Sequence, residues 1–289
     1  MRAHQTRRIL TPYAFLGPFL LAFALLSAWP LWRTASLAMS GGGSAIAFVL
    51  RDKLAWLALA NTIGYALIFS LLQTCGAFAI ALLVHHAAPS LRRALAILFF
   101  STHLLGATFA GVLFAALLSG RAGLFNAALL RLGWIASPWQ PLESTAWAMP
   151  TLIAISVYLG VGFGMLYCLA SLRRVDLRLH DAAQLDGAGA VRRLIHVTLP
   201  QVRPTLSFLL LAGLFWGLQA FELPYVLFGG PGPGYRALTV TMYLFSLGFE
   251  QGQPELAAAV SVVFALIVGG LTIAAAALLR FGREEVTLT

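Results

Sequence analysis

The stretch AWLALANTIGYALIFSLLQTCGAFAIALL, residues 55–83, contains no charged side chain. About 20 apolar residues are enough for an α-helix to cross a bilayer, and a helix satisfies its own backbone hydrogen bonds in lipid. This stretch therefore predicts a membrane-spanning helix. Five other apolar stretches are long enough to do the same, and they lie near residues 11–32, 94–118, 147–170, 205–228 and 256–279. The sequence thus predicts an all-α polytopic membrane protein with six transmembrane helices.

The composition of the whole chain agrees with this prediction. Of the 289 residues, 60% are hydrophobic and only 10% are charged, and the mean hydropathy is +0.86. A soluble domain carries about 25% charged residues, so the charge here is too sparse to cover the surface of a soluble enzyme. A secreted disulfide scaffold is also a poor interpretation, because Cys75 and Cys168 both lie inside apolar stretches. We expect a single transmembrane domain over residues 1–289.

The distribution of the 19 basic residues predicts the orientation in the membrane. With the N-terminus inside, the segments 1–10, 84–93, 171–204 and 280–289 face the cytoplasm and hold 13 of the 19. The positive-inside rule therefore places both termini in the cytoplasm. Basic residues that lie between apolar stretches indicate topology rather than nucleic-acid binding. The basic head and apolar body of the N-terminus also fit a signal peptide, but the apolar body is long enough to be a retained span.

The longest predicted cytoplasmic segment, 171–204, reads SLRRVDLRLHDAAQLDGAGAVRRLIHVTLPQVRP and holds six of the basic residues. Its pattern predicts a helical start, a break at Gly187–Gly189, and a second short helix. Proline removes a backbone donor and disfavours helix at the preceding residue, so we expect Pro200 and Pro204 to end that second helix. The many small side chains suit close docking of a helical element into a groove on another protein.

The spacing in this segment resembles a known motif. Asp181-Ala182-Ala183, three residues, Gly187, nine residues, then Val197-Thr198-Leu199-Pro200 is similar to the EAA loop of ABC-importer permeases. Asp181 replaces the Glu of that motif, and Val197 replaces its Ile. The run 221–264 and the stretches 11–32 and 123–134 resemble one branch, the first permease subunit of maltose-type sugar and glycerol-3-phosphate importers. The alternative for the basic segment is a juxtamembrane loop that holds anionic lipid.

The resemblance implies a type I ABC importer permease-like (MetI-like) core in a bacterial or archaeal cytoplasmic membrane. The implied function is translocation of a sugar or a related polyol or glycerol phosphate. The implied partners are a second, homologous permease, an ABC ATPase dimer, and a periplasmic or lipid-anchored solute-binding protein, besides membrane lipid. This chain would hold no cofactor, because ATP and Mg would bind to the ATPase. The residues that would couple to that ATPase are Asp181, Ala182, Ala183, Asp186, Gly187, Leu199 and Pro200.

Polar side chains inside predicted spans are costly and often line a transport pathway. They are Asn61, Gln73, His103, Gln219 and Glu222. Gln219 and Glu222 are three residues apart, which places them on one helix face, with Tyr225 and Trp216 nearby. Asn61, Gln219, Glu222 and Tyr225 are thus candidates for contact with a hydroxyl-rich substrate. The alternative is hydrogen bonding between helices, and the sequence leaves both interpretations open.

The sequence offers no catalytic or metal-binding set. The stretch GGPGPG, 229–234, predicts a turn, because a phosphate-binding loop needs a Lys that this stretch lacks. We therefore expect a transport subunit and not an enzyme. An ion-coupled secondary transporter is the alternative, and Glu222 would be its only carboxylate within a span. An intramembrane enzyme lacks the nucleophile–base pair or metal set that it would need.

Overall fold

A computed structural model describes residues 16–120 and 123–280. Within these ranges the chain is helical and contains no β-strand, which confirms the predicted all-α class. The helices are α1 Leu16–Ala38, α2 Ser44–Arg51, α3 Lys53–His85, α4 Pro89–His103, α5 Ala107–Leu118, α6 Leu124–Arg131, α7 Ala148–Leu172, α8 Leu177–Leu185, α9 Ala190–Leu218, α10 Glu222–Phe228, α11 Val240–Phe245 and α12 Pro254–Arg280. The start of the first predicted span and both termini lie outside the described residues.

Five of these helices are long and apolar enough to cross a membrane, namely α1, α3, α7, α9 and α12. The pair α4 and α5 gives a sixth crossing if it is counted as one span, but its two halves are bent by 91°. The sequence predicted a span at 94–118 without a break, and the structure divides this stretch between two helices. The chain leaves the helix at 104–106, and Gly106 has extended backbone angles. Since Leu104 and Leu105 are apolar, hydropathy alone does not reveal this break.

The fifth predicted span, 205–228, also differs from the structure. Helix α9 begins already at Ala190 and ends at Leu218, and a separate short helix, α10, begins at Glu222. Gln219 closes α9, with its backbone N–H directed at the carbonyl oxygens of Gly217 and Trp216. The membrane-crossing helix is therefore shifted toward the N-terminus, and it takes in the end of the segment predicted as a loop.

The contacts divide the chain into two compact units. One unit comprises residues 57–242 and 268–289, and its centre is α7, which packs against α3, α5, α9 and α10. One apolar cluster, at the C-terminal end of α7, includes Met165, Cys168 and Leu172. The other cluster surrounds Leu152 and Ile155 near the opposite end of the same helix.

Glycine allows the helices of this unit to approach closely. A β-carbon at Gly160 would lie 2.9 Å from Nε2 of Gln73, and one at Gly164 would lie 2.8 Å from Cβ of Ala77. The sequence pairs these glycines in a GxxxG spacing, and both face α3. Such close contact is typical of helix interfaces in membranes, where small residues let backbones meet.

The other unit comprises residues 1–56 and 243–267. One polar contact in it joins Asp52, just before α3, to Tyr243 in α11, whose hydroxyl donates to the carboxylate. Oδ1 of Asp52 also accepts from the N–H of Leu54 at 2.9 Å, so Asp52 caps the N-terminus of α3. Burial, and then the bond to Asp52, raise the pKa of the Tyr243 hydroxyl, which keeps it a donor at neutral pH.

Candidate functional site: an exposed helical segment and a polar cavity

The first candidate site is the EAA-like segment, defined here as residues 176–204. Its helix α8 begins where the Asp176 side chain accepts a hydrogen bond from the Arg178 N–H at 2.9 Å. This is an N-cap, which satisfies a donor that a free helix end would leave unpaired. A local sequence signal thus starts the helix at Leu177, four residues before Asp181, where the motif begins.

The same helix ends at the glycine of the motif. Gly187 has a φ of +77°, in the left-handed region that other residues enter only with strain. The N–H of Gly187 donates to Gln184 O at 3.0 Å, and the N–H of Ala188 donates to Ala183 O at 2.9 Å. These two bonds form a Schellman motif, the common glycine-dependent helix end. The predicted break at Gly187 is therefore confirmed, and its cause is the backbone conformation.

The chain then re-enters a helix that the prolines do not end. Helix α9 starts at Ala190, widens into a π-turn at Leu194–Thr198, and continues through Pro200 and Pro204 to Leu218. The expectation that these prolines terminate the helix is wrong. After the π-turn, Pro200 takes a first-turn position of the next α-helical stretch, where the missing N–H costs little. The Gln201 side-chain amide also donates to Val197 O at 3.1 Å.

Three polar contacts hold α8 against the beginning of α9. Nε2 of His180 lies 3.1 Å from Oγ1 of Thr198, and Oε1 of Gln201 accepts from the N–H of Asp176 at 3.1 Å. Nη1 of Arg193 donates to Oε1 of Gln184 at 3.0 Å. The two helices therefore form one fixed element rather than a loose connection.

The outer surface of this element is unusually apolar for an exposed region that also carries charge. Leu185 is 89% exposed and Val191 is 69% exposed, and Leu179 and Ile195 are each about half exposed. Exposed apolar side chains grouped on a rigid element are typical of a protein-docking surface. Of the predicted coupling residues, Ala183 is half-buried, and the others are exposed: Asp181, Ala182, Asp186, Gly187, Leu199 and Pro200.

The second candidate site is a cavity of about 550 Å³ inside the 57–242 unit. Gln219 and Glu222 both line it, together with Trp216. The prediction that Gln219 and Glu222 share a helix face is wrong, because α9 ends at Leu218 and α10 starts at Glu222. The break itself brings the two side chains to the same cavity.

The cavity wall holds further polar side chains from other helices. Gln73 is 3% exposed and donates from Nε2 to Gly160 O at 3.1 Å, while its Oε1 has no hydrogen-bond partner. The ring of His103 lies 5.0 Å from that of Phe163, centroid to centroid. Both residues were singled out as polar groups within spans.

Sequence reasoning missed one polar pair on this wall. The Tyr65 hydroxyl donates to Oγ of Ser156 at 2.7 Å, and Ser156 donates in turn to Leu152 O at 2.7 Å. Both Tyr65 and Ser156 line the cavity. Their only signal in the sequence is a hydroxyl in an apolar stretch, and this signal does not predict that the two helices pack against each other.

The other two predicted pathway residues lie elsewhere. Nδ2 of Asn61 donates to Tyr235 O at 2.8 Å and to Leu238 O at 3.1 Å, which ties α3 to the loop before α11. The Tyr225 ring stacks on Phe221 with centroids 5.3 Å apart. Neither Asn61 nor Tyr225 belongs to the described lining of the cavity.

Both sites fall largely within a region that matches a known protein family. The profile of the family described as "binding-protein-dependent transport system inner membrane component" matches residues 94–281, which include the EAA-like segment and most of the cavity wall. This chain belongs to that family. It is a permease subunit of an ABC importer, as the motif predicted.

Relatives of the permease carry names of sugar importers. The arabinooligosaccharides transport system permease protein of Bacillus subtilis is 26% identical over 89% of this chain and 84% of its own length. The lactose transport system permease protein of Rhizobium radiobacter is 25% identical over 90% and 91%. The sn-glycerol-3-phosphate transport system permease protein of Yersinia pseudotuberculosis is 32% identical, over 57% of this chain and 55% of its own.

A solved structure shares the fold of the permease. A chain of a bacterial ABC transporter involved in the import of the acidic polysaccharide alginate matches with a TM-score of 0.87 and 21% identity, covering 100% of both chains. The transporter-type architecture expected from the sequence is thereby confirmed.

The described cavity wall of the permease carries a negative charge and no Lys or Arg. Among its described lining residues, Glu222 is the one carboxylate, and no Lys or Arg is present. Within the described ranges, no group of three or more His, Cys, Asp or Glu side chains is placed to hold a metal ion. The arrangement can bind hydroxyl groups through amides, hydroxyls and the carboxylate, and it can stack a sugar ring on Trp216.

Proposed function

We propose that this permease carries a neutral sugar across the cytoplasmic membrane, paired with a second, homologous permease. In this proposal an ABC ATPase dimer binds the EAA-like segment from the cytoplasm, and it supplies the ATP and Mg sites. A periplasmic or lipid-anchored solute-binding protein delivers the sugar from outside. Both termini of the permease face the cytoplasm, which agrees with the 13 basic residues assigned to that side.

The continuity of α9 carries the proposal for coupling. This single helix begins within the exposed segment at Ala190 and ends at Leu218, beside Gln219 in the cavity wall. At 1.5 Å per residue it is roughly 44 Å long, which is enough to cross a bilayer. A displacement of its exposed end by the ATPase would therefore reach Trp216 and Gln219 without an intervening loop. Coupling of this kind needs different contacts in two states, and a rigid lever supplies them.

The experiment for coupling uses the two glycines of the segment. Gly187→Val forces a β-branched side chain into a φ of +77°, although no atom lies within 4 Å of the new β-carbon. Gly189 has a φ of −66° and equally open space, so Gly189→Val is the matched control. We expect Gly187→Val to insert normally but to lose sugar uptake and transport-coupled ATPase activity, and the control to keep both. Normal uptake by Gly187→Val would contradict the coupling role of the segment.

The charge of the cavity supports a neutral substrate. A phosphate or carboxylate on the substrate would be repelled by Glu222, and the described wall offers no cation to compensate. Hydroxyl groups of a substrate can instead form hydrogen bonds with the Glu222 carboxylate and the Gln219 amide. We therefore favour a sugar over a glycerol phosphate.

Uptake competition tests the substrate class. In cells or vesicles that contain the complete importer, neutral oligosaccharides should compete for uptake, and glycerol phosphate and uronic-acid sugars should not. Glu222→Gln should lower uptake of the neutral sugar while Glu143→Gln, outside the cavity, should leave it unchanged. Efficient uptake of the anionic compounds by the wild type would contradict the assignment.

A further inference from the structure

A second pocket, separate from the polar cavity, lies between α4 and α7. It has a volume of about 440 Å³ and combines two kinds of side chain. Three arginines contribute to its wall: Arg92, Arg93 and Arg173. Leu166, Leu169 and Ala170 of α7 form an apolar part of the same wall. Cationic groups beside an apolar surface favour an amphiphilic ligand with an anionic head.

The two helices are fixed against each other at one point near this pocket. A β-carbon at Gly162 would lie only 1.8 Å from the carbonyl oxygen of Phe99, so α7 touches the backbone of α4 there. Leu166, Leu169 and Arg173 follow Gly162 by four, seven and eleven residues and therefore lie on the same face of α7. The pocket thus occupies the space between two packed helix faces, toward the ends that carry the arginines.

The described wall of this pocket holds three arginines and no carboxylate. Nη2 of Arg92 donates to His85 O at 2.7 Å and to Ala87 O at 3.0 Å, which fixes its guanidinium at the pocket without neutralising it. Nε of Arg92 is buried and has no hydrogen-bond partner. Arg93 and Arg173 are exposed, and no carboxylate is among the described residues that line the pocket. Three cations of the pocket wall therefore have no anion within that wall.

We propose that this pocket binds one anionic phospholipid, with its headgroup phosphate between Arg93, Arg173 and Arg92. Guanidinium groups bind phosphate through two parallel hydrogen bonds, and basic pockets between membrane helices are suited to anionic headgroups. An acyl chain lies along Leu166, Leu169 and Ala170, which face it from the last turns of a helix that spans the membrane. The apolar wall favours a lipid over an acidic protein segment, which would leave that surface uncovered. This inference does not depend on which sugar is carried.

The site also adjoins the EAA-like segment. Arg173 is the residue that closes α7, and Asp176, which caps α8, follows three residues later. A bound phosphate would fix the short connection between these helices. It would also offset the repulsion between the arginines of the pocket. We therefore expect lipid occupancy of this pocket to influence the coupling of transport to ATP hydrolysis.

The test measures lipid retained by the full-length permease, purified in detergent with phosphatidylglycerol and phosphatidylcholine added in equal amounts. Native mass spectrometry should show one phosphatidylglycerol bound in preference to phosphatidylcholine. Arg93→Gln/Arg173→Gln should weaken this binding by roughly 10- to 30-fold, because each arginine near a lipid surface contributes on the order of 1 kcal/mol. Ala170→Trp, which keeps every charge but fills the pocket, should also weaken it.

The matched control is Arg174→Gln/Arg178→Gln, which removes the same charge beside the pocket but not within it. This variant should keep the lipid, and millimolar inorganic phosphate should not displace the lipid from the wild type. Equal lipid loss in the control would overturn the proposal in favour of diffuse charge attraction. Displacement by inorganic phosphate would overturn it in favour of a free-anion site. Unchanged lipid binding in Arg93→Gln/Arg173→Gln, with weakened ATPase association, would assign the pocket to an acidic protein segment instead.

Discussion

Nε2 of His180, in the middle of α8, lies 3.1 Å from Oγ1 of Thr198, at the end of the π-turn in α9. Thr198 is buried, whereas most of α8 is exposed. The contact therefore links the surface of the EAA-like segment to the helix that reaches the polar cavity. It is a side-chain contact between residues that the family motif does not pair.

Thr198→Val should weaken coupling without unfolding the permease. The change keeps the shape of the side chain and removes one hydrogen bond, which is worth about 1 kcal/mol. We expect the ratio of sugar transported to ATP hydrolysed to fall about fivefold. Thr205→Val is the control, because Oγ1 of Thr205 donates to Oγ of Ser171 at 3.1 Å outside the α8 contact. Equal losses in both variants would show a general effect on α9.

Gly162→Ala should destabilise the permease strongly. The new β-carbon would meet the carbonyl oxygen of Phe99 at 1.8 Å, and a backbone atom cannot move aside as a side chain can. We expect a loss of at least about 2 kcal/mol of unfolding free energy, seen as a lower Tm in detergent. Gly269→Ala in α12 meets no atom within 4 Å and should be neutral or slightly stabilising. A Tm unchanged by Gly162→Ala would contradict the close approach of α4 and α7.

Asp52→Ala should destabilise more than Tyr243→Phe. The first change removes both the cap of α3 and the acceptor for Tyr243, whereas the second removes only the hydroxyl. We expect losses of about 2 and about 1 kcal/mol, measured by thermal unfolding in detergent. Asp52→Asn keeps a capping oxygen and should fall between them.

The Tyr243 contact also predicts a dependence on pH. Since burial and Asp52 raise the pKa of the Tyr243 hydroxyl, the stabilisation is complete below a pH of about 10 and is lost as the pH rises through the folded-state pKa. The difference in Tm between wild type and Tyr243→Phe should therefore be constant from pH 6 to 9. A difference that shrinks within this range would contradict the predicted proton on Tyr243.

Asn61→Ala separates a structural role from a pathway role. The side chain donates to two backbone carbonyls of the loop at 235–238, so its loss should lower Tm by a few degrees through about 1–3 kcal/mol of unpaired polar groups. Substrate preference should stay as in the wild type. An altered preference at normal Tm would instead place Asn61 on the transport pathway.

Much of the architecture could be predicted from local signals. Hydropathy located the membrane helices, because the lipid interior demands long apolar helices. The break at Gly187 is a short-range feature, so the sequence predicted the end of α8. The Asp176 cap is equally local, but only the structure revealed it. The prediction that Pro200 and Pro204 end the helix was wrong. A π-turn at Leu194–Thr198 brings Pro200 to a position that tolerates proline, and hydropathy carries no signal for such a turn.

The cavity was only partly predictable for a related reason. The polar residues Gln219 and Glu222 stood out in an apolar stretch, and both line the cavity. Asn61 stood out in the same way, yet its amide is bound to a loop more than 170 residues away in the sequence. A polar residue in a span shows that a partner is needed, and only the packing shows whether that partner is the chain itself or a cavity.

The sequence alone determined that this is a helical membrane protein, placed α3, α7 and α12 to within about two residues, and located the motif that resembles that of an importer permease. These features follow from apolar run length and from glycine and capping residues, which act over a few positions. Only the tertiary structure decided that α9 is continuous from the exposed segment to the cavity, that α4 and α5 are bent apart, and that three arginines line one pocket with apolar side chains of α7. Each of these depends on how helices distant in the chain pack, and close packing depends on shape rather than on hydropathy.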